Sequence, residues 1–158
     1  MTAKISWLKP FIIFLILTFL AAYSGSMFMP GLWYEGLIKP VLTPPNQVFP
    51  IAWTILYSLM VISMTWVYVR GHERKEYKIA RNLFLAQLLV NALWSWLFFG
   101  LHQPLWGLLD IVLLWILVIL MIYTFARISI GAAVLQVPYL CWLSFAGWLN
   151  WGIWHLNA

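Results

Sequence analysis

An all-α membrane bundle of five transmembrane helices is the fold this sequence predicts, and three observations predict it. Of 158 residues, 65% are hydrophobic and 8% charged, too few ionic groups to cover a soluble domain of that size. The apolar residues gather into five runs, each long enough, at a rise of about 1.5 Å per residue, to cross a hydrocarbon layer of about 30 Å as a helix. Backbone groups in lipid must find partners inside their own segment, and the runs are too long for barrel strands. One compact domain over residues 1–158 is expected, and a homodimer of such domains is the expected assembly.

The first crossing is read over residues 11–29, with Pro10 at its start, where a missing N–H costs nothing. Lys4 and Lys9 before it and the small residues Ala21, Ala22, Ser24 and Gly25 at its end also fit a cleaved leader, which would leave four later crossings in place. Residues 30–46 (PGLWYEGLIKPVLTPPN) carry prolines at 30, 40, 44 and 45 and read as an ordered external loop. Asn46 is the candidate cap of the second crossing, residues 47–69, and Pro50 falls in its first turn. The polar gap RGHERKEYKIAR ends it. The third crossing covers 79–99, a turn at 100–103 follows, and Pro104 opens the fourth, 104–125. The fifth covers 130–153, and Pro138 inside it predicts a kink.

The net charge of +5 does not call for nucleic acid, because five of the nine cations lie between Arg70 and Arg81, in one gap between crossings. With an odd number of crossings, Lys4, Lys9, the Arg70–Arg81 cluster and Arg127 share one side and Lys39 stands alone on the other. That bias predicts a cytoplasmic amino terminus and an external carboxyl terminus, in a cell membrane. Cys141 is the sole cysteine, so no intrachain disulfide or cysteine-based zinc site is possible. His72, His102 and His155 lie in loops or at the end, and no catalytic triad, paired carboxylates or phosphate loop is visible, so no metal and no obligatory cofactor are expected.

Candidate chemistry is confined to a few interior positions. Most of the twelve tryptophans suit headgroup-level anchoring, but Trp53, Trp94, Trp115 and Trp142 lie deeper, as packing, lipid contact or the walls of a site. Asp110 is the one acid inside a crossing, and Gln87, Asn91 and Ser95 form a polar stripe at helical spacing; helix-to-helix hydrogen bonding and a ligand cavity explain such groups equally well. Counting from each outer end at about 1.5 Å per residue places Trp53 at roughly 6 Å, Asp110 at about 9 Å, Asn91 at about 12 Å and Trp142 at about 16 Å, all beneath the proline-rich loop. A pocket lidded by that loop is the structural expectation.

Trp33-Tyr34 followed by LIKPVLTPP, FPIAWTILY from Phe49, AQLLVNALWSWLFFG from Ala86 and PYLCWLSFAGWLNWGIW from Pro138 together resemble the TspO/MBR family of tryptophan-rich sensory and translocator proteins, in order and with similar spacing. The resemblance implies a dimeric five-helix bundle that binds porphyrins such as protoporphyrin IX, and heterocycles of the benzodiazepine-receptor type. It implies ligand contacts at Tyr34, Pro44, Trp53, Asn91, Trp94, Trp142, Ala146 and Leu149, with Gln87, Ser95 and Asp110 as pocket or helix-contact groups. Two departures stand out. Leu42 replaces an aromatic common before the Pro-Pro pair, and no Lys or Arg follows Leu149, which removes the sterol-recognition pattern and puts cholesterol handling in question.

Three functional readings follow: a tetrapyrrole-binding receptor or sensor, a light-dependent porphyrin-degrading enzyme using Trp53 and Trp142, and a porphyrin or lipophile transporter. The last has the weakest support, because no inverted repeat or broken helix pair is apparent and five crossings do not halve.

Overall fold

The structure, a computed structural model, describes residues 6–158, so Lys4 lies outside the described residues. Its helices are α1 (Leu8–Ser26), α2 (Leu32–Glu35), α3 (Val48–Gly71), α4 (Lys75–Ser95), α5 (Pro104–Ala126), α6 (Ile130–Val134) and α7 (Val137–Leu156). Five stretches are long and apolar enough to cross a membrane: α1, α3, α4 with its extension to Gly100, α5, and α6 with α7. This is a multi-pass membrane protein.

The helices form a ring. α1 packs on both α3 and α4, α4 on α5, and α5 on α7, while α6 joins α5 to α3. α3 and α7 are not close-packed neighbours; they meet through aromatic side chains. Met60, Met64 and Val67 of α3, Phe84 of α4, and Val118, Met121 and Phe125 of α5 are fully buried and form the middle of the bundle. α1 buries only Pro10, Phe14 and Thr18, one residue per turn, and leaves Ile12, Ile13, Leu15, Ile16, Phe19 and Leu20 exposed, which in a bilayer is a lipid-facing surface.

Three local features differ from the sequence reading. No side-chain cap from Asn46 forms; α3 starts after Gln47, and Val48 N–H instead donates to Pro45 O at 2.9 Å. The third crossing ends in a π-helical turn, Trp96–Gly100, closed by Leu101 N–H to Trp96 O at 2.8 Å. His102 then takes a left-handed conformation at φ 56°, which reverses the chain into α5. The kink expected at Pro138 is a complete break. α6 ends in a tight turn with Gln136 N–H on Ala133 O at 3.0 Å, and Pro138 sits in the first turn of α7, where its missing donor is one of the free ones.

Candidate functional site

The loop end is joined by neutral hydrogen bonds and ring contacts. Asn157 holds the loop as a second strand would: its Oδ1 accepts from Ile38 N–H at 2.9 Å and its Nδ2 donates to Ile38 O at 2.9 Å. Pro40 packs directly over Gly152, where an added Cβ would lie 2.5 Å from Pro40 Cγ, so only glycine permits this approach. Tyr34 is buried, edge-on to Phe98 at 6.2 Å and to Phe99 at 5.4 Å, with the Lys39 ammonium 4.7 Å over its ring. Burial raises its phenol pKa. Trp33 stacks on His102 at 4.4 Å, fixing the loop to the turn before α5. Pro44 is half-buried just after the turn that Thr43 closes on Pro40 O.

Beneath the loop, Trp94 Nε1 donates to Asn150 Oδ1 at 3.1 Å, and Asn150 Nδ2 donates to Pro104 O at 2.6 Å. Gly107 makes room for that amide, since an added Cβ would lie 2.9 Å from Asn150 Oδ1. Deeper still, Tyr57 donates to Asn91 Oδ1 at 2.7 Å, Asn91 Nδ2 donates to Tyr139 at 3.0 Å, and Tyr139 donates to Gln87 Oε1 at 3.1 Å. The polar stripe of α4 therefore faces inward at Gln87 and Asn91, where tyrosines of α3 and α7 meet it. Ser95 is half-buried and faces Gly25 of α1. Asp110 is buried, and its Oδ2 has no hydrogen-bond partner among the described residues.

Trp53 and Trp142 lie on the seam between α3 and α7. Trp53 stacks on Tyr57 at 5.2 Å and meets Tyr139 edge-on at 6.1 Å, while Phe49 meets Trp142 edge-on at 5.9 Å. Phe49 faces Trp142 and, one turn further from the loop, Trp53 faces Tyr139, so the two tryptophans lie about one turn apart along the seam with Trp142 nearer the loop. The depths obtained by counting, which set Trp142 far below Trp53, do not hold. That count assumes that α3 and α7 end together, whereas α7 runs on beside the loop to its contacts at Pro40 and Ile38. Between the helices a groove of about 430 Å³ is lined by Ala52, Ile55, Leu56, Pro138, Cys141, Trp142 and Phe145. Ala146 is half-buried and Leu149 buried on the following turns of α7.

The sequence-predicted residues thus fall into three adjoining layers: Tyr34 and Pro44 in the loop, Trp94 and Asn91 in the hydrogen-bonded interior with Gln87, and Trp53 and Trp142 on the seam with Ala146 and Leu149 beyond. Sequence reasoning missed Tyr57, Tyr139, Asn150 and Asn157. The signal for Asn150 was present, one turn after Ala146 on the same stripe, but it is hidden in the apolar run WLNWGIW.

These features define a class: a five-crossing membrane bundle with an aromatic-lined seam beneath an ordered loop. The chain belongs to the TspO/MBR family, whose pattern it matches over residues 11–155. It is 45% identical over 138 residues to the tryptophan-rich protein TspO of Chlorobaculum tepidum, covering 85% of this chain and 87% of that one. It is 37% identical over 147 residues to protein CrtK of Rhodobacter capsulatus, covering 93% and 92%. With the translocator protein of Bos taurus it shares 35% identity over 153 residues, 94% of this chain and 90% of that one.

Proposed function

We propose that this protein is a membrane receptor for planar apolar tetrapyrroles, protoporphyrin IX above all, received where α3 and α7 meet. The observation that carries the reading is the seam itself: two crossings held apart by aromatic rings, beside an apolar groove of about 430 Å³, rather than closed backbone against backbone. A flat macrocycle inserted there exchanges ring-to-ring contacts for contacts with its own faces, at little cost to the rest of the bundle. In this reading Trp53 and Trp142 cover the ring faces, and Ala146 and Leu149 bound it on α7. Asn91 and Trp94 back the site from α4, their polar groups engaged by Tyr57, Tyr139 and Asn150, and Tyr34 and Pro44 close the site from the loop. The names of the relatives, tryptophan-rich protein and translocator protein, agree with a ligand-handling role.

The same reading puts the end bearing Arg70, Arg74, Lys75 and Arg127 in the cytoplasm and the loop outside, in keeping with the positive-inside bias. What supports it is the gathering of these cations at one end, where Arg74 Nη1 reaches Arg127 O at 3.5 Å.

The test is a protoporphyrin titration of the purified protein, followed by Soret absorbance in darkness. Trp142→Ala should weaken binding by roughly two- to tenfold, the loss of one aromatic contact worth about 0.5–1.5 kcal/mol beyond burial. Unchanged affinity in that variant would remove the assigned seam.

A further inference from the structure

A second groove, of about 330 Å³, runs between α1 and α3 and is lined by Trp7, Phe11, Ile62, Thr65, Trp66 and Val69. Among these lining residues the one hydroxyl has its proton engaged, because Thr65 Oγ1 donates to Val61 O at 2.7 Å. The groove lies at the cation-bearing end. Trp7 precedes the first turn of α1, and Trp66 is one turn before Arg70 at the end of α3.

The wall formed by Trp66 is fixed from two directions. Gly131 backs its indole so closely that an added Cβ would lie 2.9 Å from the ring, and the Arg70 guanidinium covers it at 5.3 Å. Arg70 is exposed and makes no ion pair and no side-chain hydrogen bond among the described residues. The nearby acids do not serve it: Glu73 reaches only His72, at 3.9 Å. An apolar trough at acyl depth is therefore topped, at headgroup level, by a planar five-donor cation that has no anionic partner among the described residues.

We propose that this seam binds an anionic phospholipid, with its phosphate on Arg70 and one acyl chain in the α1/α3 groove. Guanidinium pairs with phosphate through two parallel charge-assisted hydrogen bonds, and the place of Arg70 over the Trp66 ring holds the cation at the mouth of the groove for that pairing. The surrounding cations Arg74, Lys75 and Lys78 add long-range attraction for an anionic headgroup. A second copy of the chain is the poorer occupant. In a two-fold dimer with its axis along the membrane normal, the partner's cations would come to the same level, so like charges would face each other where an anion is needed. The α3/α7 groove offers the contrast: it is equally apolar, but no cation caps it.

The test is native mass spectrometry of the full-length protein released from micelles, titrated with phosphatidylglycerol or phosphatidylcholine of identical chains. A preference of roughly five- to tenfold for phosphatidylglycerol is expected. Arg70→Gln should erase it, and Arg74→Gln, which removes an exposed cation of the same end that reaches Arg127 O and does not line the groove, should retain most of it. Soluble glycerophosphoglycerol, which has the headgroup without chains, should fail to displace the lipid. Equal retention of both lipids by the wild type, an undiminished preference in Arg70→Gln, displacement by the headgroup alone, or a lipid-free dimer lost in Trp66→Ala would each overturn the proposal.

Discussion

At the loop end, side-chain amides and aromatic rings do the joining: Asn157 pairs with Ile38, Asn150 ties Trp94 to Pro104, and Tyr34 is wedged against Phe98 and Phe99. At the opposite end, Arg70, Lys75 and Lys78 have no carboxylate partners among the described residues, and the crossings meet by close apolar approach, as where Gly71 accommodates Ile128. The first arrangement satisfies its polar groups internally and so can persist away from water. The second leaves its charges to lipid headgroups and solvent. In the proposed reading one end covers a site and the other sits in a charged interface, and these call for different solutions.

The largest expected effect lies in the first arrangement. Asn150→Leu orphans Trp94 Nε1 and Pro104 O together and should cost about 2 kcal/mol, the sum of two interhelical contacts in a membrane interior. A fall in thermal midpoint of about 4–8 °C in micelles is the expected reading. The smallest lies in the second arrangement. Arg81→Gln removes a cation whose only hydrogen-bond partner among the described residues is the neighbouring Asn82, and should change stability by no more than about 0.5 kcal/mol. Equal shifts in the two variants would erase the distinction between the ends.

How far the sequence reaches can be seen in particular residues. The five crossings were legible because membrane hydrocarbon enforces long uncharged runs, and their outer bounds, such as Val48–Gly71 for the expected 47–69, fall within four residues of the expected ones. The inward faces of Gln87 and Asn91 were legible from helical spacing. Their partners were not, because periodicity tells which face turns inward but not which tyrosine of another helix meets it. The break before Pro138 was hidden for a related reason: proline reads the same whether it bends a helix or opens a new one. The order of Trp53 and Trp142 along the seam depends on how far α7 projects past α3, a tertiary offset that counting along one chain cannot give.

The central claim is that α3 and α7 must part to admit a flat ring. A single engineered cysteine, Ala52→Cys, faces the natural Cys141 across the groove, and a short, reducible bis-thiosulfonate linker between them would hold the two crossings together. The linked protein should lose protoporphyrin binding by about tenfold or more and regain it on reduction. Linked protein that binds the porphyrin as tightly as the reduced form would contradict the account.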